Sequence, residues 1–179
     1  NWCFYKERFS LNGQIILPDQ IWVFDEHARN IALNELGDAK ISLVENPYLL
    51  KQKEDYSIIS TTFDYDYVIY LSENVGEHSA SKSNAPSFGY NDYDALAYYL
   101  SKKNECEQKL SISNVENIII RPHPSEKKDL YTKYIDQINE YNIIVSNEHS
   151  LLEQIKGSLY VVGLSSMAMA ISCEVGKST

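Results

Sequence analysis

Four short apolar segments in the second half of the chain restrict its fold more than any other feature. They read DYVIYLSEN at 66–74, ENIIIRPHP at 116–124, NIIVSN at 142–147 and SLYVVGLSS at 158–166. Each contains an unbroken run of β-branched, aromatic or other apolar residues, and unbroken runs are typical of parallel strands that are buried on both faces. The sequence therefore predicts an α/β fold with a Rossmann-like, doubly wound parallel sheet.

Segments with helical composition alternate with these strands. The predicted helices are NDYDALAYYLSKKN at 91–104, SEKKDLYTKYIDQINEY at 125–141, EHSLLEQIKG at 148–157 and SMAMAISCEVG at 166–176, the last of them apolar enough to be buried all round. A long polar loop is predicted at 75–90, of the kind that often covers a binding site.

An earlier βαβ-like unit is predicted at about 20–45. Its strands lie in DQIWVFDE and AKISLVENPYLL, and its helix, EHARNIALNELG, ends at Gly37. The second strand runs into a turn at Asn46-Pro47. The predicted domains are 1–50, a polar inter-domain linker at 51–64, and a second domain at 65–179.

Composition excludes several classes of function. With 16 Lys and Arg residues against 25 Asp and Glu, the net charge is −9, which argues against a broad surface for nucleic acid or anionic membranes. The chain has three cysteines (Cys3, Cys106 and Cys173), an odd number with no CxxC pair. This favours a reducing, cytoplasmic location. The histidines show no metal-ligand spacing, so no metal site is predicted.

The segment Arg121-Pro122-His123-Pro124, called the RPHP segment below, follows a predicted strand. A residue before proline is extended, and residues two apart in an extended chain project to the same side, so Arg121 and His123 are predicted to share one space. Guanidinium binds phosphate, and imidazole can donate to phosphate or act as an acid. Ser125 is predicted to cap the next helix. The alternative is a rigid turn with a solvated arginine and a backbone-bonded histidine.

Two other strand ends carry polar groups. In VVGLSSMAMA, Gly163 permits a tight turn and Ser165 or Ser166 caps a helix whose start could hold phosphate; an ordinary helix cap is the alternative. Further candidates are Ser72, Glu73 and Asn74 after the first strand of the sheet, and Ser146 and Glu148 after the third, although ordinary loop polarity explains them nearly as well.

RPHPSE followed by GLSSMAMA resembles the His-Pro and Ser-rich motifs of bacterial GT-B sialyltransferases, polysialyltransferases and Kdo transferases. In those families the two motifs hold the CMP phosphate of the activated sugar. The resemblance implies that His123 is catalytic and that Arg121, His123, Ser165 and Ser166 bind the nucleotide phosphate, Arg121 being the least firmly placed. It also implies that 1–50 is the end of a GT-B N-terminal domain and 65–179 most of the C-terminal one.

The resemblance implies a metal-independent glycosyltransferase that needs no cofactor and takes a CMP-sugar donor as substrate. Its partners would be that donor and a bacterial surface glycan as acceptor, with peripheral membrane association possible through regions beyond this chain. Because those families carry the general base in the N-terminal half, the chain alone is expected to be inactive. Two alternatives stay open: a non-catalytic α/β module that binds a phosphorylated ligand or a protein, and a UDP-sugar enzyme of GT-B architecture such as a 2-epimerase.

Overall fold

The computed structural model describes most of the chain and divides it into two compact units, with the division between Lys51 and Gln52. The described residues are 5–37, 39–74, 90–126, 131–136, 138 and 140–179. The predicted covering loop at 75–90 lies almost wholly outside these ranges, as do Cys3 and part of the helix predicted at 125–141.

The first unit contains the predicted βαβ arrangement. Strands β3 (Ile21–Val23) and β4 (Ile41–Leu43) pair in parallel, and helix α2 (Glu26–Leu36) connects them. Asp25 caps α2 by accepting from the backbone N–H of Ala28 at 2.7 Å, and Gly37 ends it with φ +59°. Helix α1 (Tyr5–Arg8) and an antiparallel hairpin of β1 (Ser10–Leu11) and β2 (Gln14–Ile15) precede this arrangement and were not predicted.

Helix α3 (Pro47–Ile58) replaces the predicted turn and the first part of the predicted linker. Asn46 caps it, since its Oδ1 accepts from the backbone N–H groups of Tyr48 and Leu49 at 3.0 and 3.4 Å. Proline fits the first helical position because that residue needs no backbone donor. No α3 residue is buried. A helix without a buried face needs no apolar stripe, which is why the sequence pattern gave no helical signal there.

The second unit is built on four parallel strands. In chain order its elements are β5 (Tyr67–Leu71), α4 (Asp92–Leu110), β6 (Asn117–Arg121), α5 (Thr132–Ile135), β7 (Asn142–Val145), α6 (Leu151–Gly157), β8 (Val161–Gly163) and α7 (Met167–Glu174). The strand order is β7-β6-β5-β8. The chain therefore builds the sheet outward from β5 and then crosses to its other side, which confirms the predicted α/β, Rossmann-like parallel sheet.

Strand β5 lies at the centre of this sheet and is buried on both faces, each of its residues being at most 3% exposed. Val68 and Tyr70 pack in one cluster with Leu96 and Tyr99 of α4. On the other face, the Tyr67 hydroxyl donates to the backbone carbonyl of Gln154 in α6 at 2.8 Å. This two-sided burial explains why the strand sequence is continuously apolar.

Helix α7 is less buried than predicted. Only Ile171 and Ser172 of α7 are buried, and Met167 is 43% exposed. Among the described residues, β8, which leads into α7, lies at the end of the strand order and pairs with β5 alone, so α7 has less of the sheet to pack against. None of the described helices is long and apolar enough to cross a membrane. Cys106 and Cys173 are free thiols.

Helix α4 carries a buried ion pair near the amino ends of the strands. Lys103 Nζ lies 2.6 Å from Glu107 Oε1, with the two side chains 0% and 4% exposed. The same carboxylate oxygen accepts from the backbone N–H of Val115 at 3.3 Å and from the Tyr160 hydroxyl at 3.4 Å. Burial raises the pKa of Tyr160, which keeps its hydroxyl protonated as a donor. The buried Glu107 carboxylate therefore has hydrogen-bond partners within the protein in place of water.

We predict that Glu107→Ala lowers the free energy of unfolding by about 3–5 kcal/mol, because the Lys103 ammonium would stay buried without its carboxylate, with only the Tyr141 ring beside it. Glu105→Ala is the matched control on the same helix. Glu105 pairs with Lys102 at the same distance, 2.6 Å, but both side chains are exposed, so little change is expected. Urea unfolding of both variants checks this, and equally small losses would contradict a stabilising role for the buried pair.

Candidate functional site

All four strands of the second unit end at the same edge of the sheet, called the carboxyl edge below. The order reverses beside β5, with β6 on one side and β8 on the other. In open parallel sheets this switch point is where ligands bind. The predicted site residues lie here because each follows a strand: Ser72, Glu73 and Asn74 follow β5, Arg121 ends β6 with His123 after it, Ser146 and Glu148 follow β7, and Ser165 and Ser166 follow β8.

The carboxylate of Glu126 joins the ends of β5 and β6. Its Oε1 accepts from the Ser72 hydroxyl at 2.5 Å and from the backbone N–H of Asn74 at 3.0 Å. Its Oε2 accepts from the backbone N–H of His123 at 2.6 Å. Glu126 is therefore the residue that fixes the geometry of the RPHP segment relative to β5, and it was not among the predicted site residues.

The sequence carried no clear signal for Glu126. Its carboxylate accepts from the backbone N–H three residues earlier, as the glutamate of a capping box does, but a capping box begins with serine or threonine and here the first residue is His123. Ser125 was predicted to cap the next helix, and the start of that helix lies outside the described residues. The Ser125 hydroxyl contacts His123 and Asn74.

Tyr131 extends this network into the core. Its hydroxyl lies 2.5 Å from the Ser72 hydroxyl. Because Ser72 donates its own hydrogen to Glu126, Tyr131 is the donor in this contact. Burial raises the pKa of Tyr131 well above its ordinary value, so the phenol keeps the proton that it donates. The order of donation is thus Tyr131 to Ser72 to Glu126.

The ring of His123 faces Ser125 and not Arg121. Nδ1 of His123 lies 2.8 Å from Ser125 Oγ and accepts from the backbone N–H of Ser125 at 3.2 Å. The side-chain amide of Asn74 donates to the same hydroxyl at 2.7 Å. Asn74 has φ +53°, a left-handed conformation that asparagine tolerates better than most residues. Its conformation and its contacts with Ser125 and Glu126 place its amide against the RPHP segment.

Arg121 bonds to the protein on the opposite side of the RPHP segment. Its Nη1 donates to the backbone carbonyl of His149 at 2.8 Å and to Gln154 Oε1 at 2.6 Å. The amide of Gln154 in turn donates to the carbonyl of Ser146 at 3.2 Å. Burial lowers the pKa of Arg121 from its ordinary value. One hydrogen of Nη1 thus bonds to the loop between β7 and α6, and the other bonds to α6 itself. The prediction that Arg121 and His123 share one space is wrong.

A cleft of about 360 Å³ opens between the ends of β6 and β7. It brings together three of the predicted site residues, His123, Ser146 and Glu148. Its full lining is Pro122, His123, Pro124, Glu126, Val145, Ser146, Asn147 and Glu148. The prolines and Val145 supply apolar walls, while the histidine and the carboxylates supply polar groups, the composition expected of a site for a small polar ligand.

The serines after β8 lie on the other side of β5. Ser166 caps α7, since its Oγ accepts from the backbone N–H of Met169 at 3.3 Å, whereas Ser165 is exposed. Gly163 serves close packing, because a Cβ there would come within 3.0 Å of the Leu71 carbonyl and 2.9 Å of Met169 Sδ. With β5 between them, β6 and β8 are two strand spacings apart, roughly 10 Å.

In the described part of the chain, no three His, Cys, Asp or Glu side chains are grouped so that they could hold a metal ion. Beside the carboxylates of Glu126 and Glu148, the carboxyl edge carries hydrogen-bond donors and acceptors: the His123 imidazole, the hydroxyls of Ser125 and Ser146, and the start of α7. Such an arrangement can bind and orient a polar or anionic ligand.

We predict that Arg121→Met lowers the free energy of unfolding by about 1–3 kcal/mol, because the His149 carbonyl and the Gln154 amide lose a charged donor. Gln154→Leu should cost less in the Arg121→Met background than in the wild type, since the two residues share one bond. Urea unfolding of the single and double variants gives this coupling. Fully additive losses would show that Arg121 does not act through Gln154.

Comparisons of the chain with protein-family models, with curated proteins and with solved structures found no match. The function of the carboxyl edge has therefore to be inferred from its own residues.

Proposed function

We propose that the second unit is the nucleotide-binding part of a GT-B glycosyltransferase that takes an acidic sugar from a CMP-activated donor. One observation carries the proposal: both motifs of the resemblance lie at the carboxyl edge, on either side of β5. His123 follows β6, and the Ser165-Ser166 pair follows β8 and opens α7. His123 lies 42 positions before Ser165 and 43 before Ser166 in the sequence, and the two motifs flank one switch point. A ligand that contacts both motifs requires them to lie at the same edge of the sheet.

The chemistry of these groups suits a departing phosphate. Transfer of the sugar leaves negative charge on the CMP phosphate, and fixed donors near that charge lower the barrier. His123 offers a ring N–H beside the cleft, and the start of α7 offers backbone N–H groups with the positive end of the helix dipole. In this proposal His123 and the start of α7 stabilise the leaving group together.

The acceptor side of the reaction belongs to the N-terminal GT-B domain that the resemblance implies. In this proposal a general base from that domain activates a hydroxyl of a bacterial surface glycan, while the second unit holds the donor. The first unit, with its parallel β3 and β4 around α2, is compatible with the last βαβ unit of such a domain. Catalysis would require both domains, because donor and acceptor have to be aligned.

We predict that His123→Ala weakens CMP binding about 10- to 150-fold while leaving the fold intact, because one charge-assisted hydrogen bond to phosphate is lost. Titration calorimetry measures the affinity and thermal unfolding measures the stability of the same variant. The control is His27→Ala, which changes an exposed histidine in the first unit and should alter neither quantity.

The outcomes separate the candidate functions. A His123→Ala variant with lowered melting temperature and wild-type CMP affinity would mean that the RPHP segment is only a structural turn. A wild-type protein that binds UDP more tightly than CMP would favour a UDP-sugar enzyme. If no nucleotide binds, the proposal is wrong.

A further inference from the structure

We infer that Ser125 is a positioning residue that holds His123 in the Nε2–H tautomer, so that His123 meets its ligand as a hydrogen-bond donor through Nε2. The tautomer follows from contacts within the protein. Its use in nucleotide binding rests on the proposed function.

The backbone N–H of Ser125 donates to Nδ1 of His123 at 3.2 Å. A backbone N–H is only ever a donor, so the ring nitrogen that receives it carries no hydrogen. In the neutral imidazole the single proton then lies on Nε2.

The Ser125 hydroxyl lies 2.8 Å from the same Nδ1. This hydroxyl accepts from the Asn74 amide at 2.7 Å, which leaves its own hydrogen available for Nδ1. Two donors from Ser125 therefore converge on one ring nitrogen. The order of donation is Asn74 to Ser125 to His123.

Glu126 bonds to Asn74 and to His123, the first and the last residue in this order of donation. It accepts from the backbone N–H groups of Asn74 and His123, while its own backbone N–H donates to the His123 carbonyl at 2.9 Å. Proline on each side of His123 fixes φ at 122 and 124. Glu126 and the prolines therefore hold the backbone that carries the ring, and a rotation of the ring itself has to break both of its contacts with Ser125.

The consequence for binding is specific. With Nδ1 occupied, Nε2–H is the donor that the neutral ring can offer, and His123 lines the cleft between β6 and β7. A ring in this tautomer donates to an acceptor oxygen, such as a phosphate oxygen, and has no lone pair on Nε2 for a metal ion. His123 would thus help to select an oxygen-rich anion without having to carry a charge.

Long-range ¹H–¹⁵N correlation spectra of the ¹⁵N-labelled protein, recorded where the ring is neutral, assign the proton to one ring nitrogen. In the ligand-free wild type we expect His123 to carry it on Nε2. Ser125→Ala removes the hydroxyl and should raise the Nδ1–H population, and Ser125→Thr, which keeps a hydroxyl, should restore the wild-type spectrum. Ser101→Ala is the control, because the Ser101 hydroxyl donates to the Tyr98 carbonyl on α4.

The same variants are then titrated with CMP. Ser125→Ala should weaken binding about 2- to 10-fold, as expected for the loss of one neutral hydrogen bond, and Ser125→Thr should recover most of it. A wild-type ring with its proton on Nδ1 would overturn the inference. A Ser125→Ala spectrum identical to the wild type would overturn the positioning role of the hydroxyl and leave the backbone N–H of Ser125 as the group that sets the tautomer. An Nε2–H ring in a protein that binds no CMP would instead overturn the proposed function and leave the tautomer in place.

Discussion

The geometry of the candidate site depends on the hydrogen bonds that the carboxylate of Glu126 accepts. This carboxylate receives three hydrogen bonds, from Ser72, Asn74 and His123, and so connects the end of the central strand β5 to the segment after β6. Ser72 and Asn74 are buried, and a buried donor without a partner costs about 1–3 kcal/mol. One side chain thus satisfies groups that would otherwise destabilise the edge, and the same bonds set the position of His123.

The two edges of the sheet carry different kinds of polar network. Near the amino ends, Lys103 and Glu107 form a buried pair that the hydroxyl of Tyr160 completes, and Tyr99 lies 2.9 Å from that hydroxyl. These groups bond to one another and to the backbone. At the carboxyl edge the network ends on a histidine ring that borders a cleft. The amino-edge network is closed by its own bonds, while the carboxyl-edge network places the His123 ring at the cleft.

Much of the fold could be predicted because burial leaves a pattern in the sequence. The strands of the sheet are continuous apolar runs, and the helices α2 and α4 begin at capping residues, Asp25 and Asn91. Helix α3 was missed because it has no buried face, and Glu126 was missed because a single glutamate in SEKK looks like any solvated charge. Arg121 was predicted to bind a ligand because its partners in the structure, His149 and Gln154, are distant in the sequence. No local sequence pattern shows that their loop and helix lie beside Arg121.

We propose that the carboxyl edge binds the phosphate of a cytidine nucleotide. An amide ¹H–¹⁵N titration with CMP tests it most directly, because it reports on both edges of the sheet at once. We expect saturable shifts at 72–74, 123, 125, 126, 146–148 and 165–168, with none around the cleft at the amino edge that Asp66, Ser113, Asn114 and Glu116 help to line. Shifts centred on that amino-edge cleft, or no saturable shifts at the carboxyl edge, would contradict it.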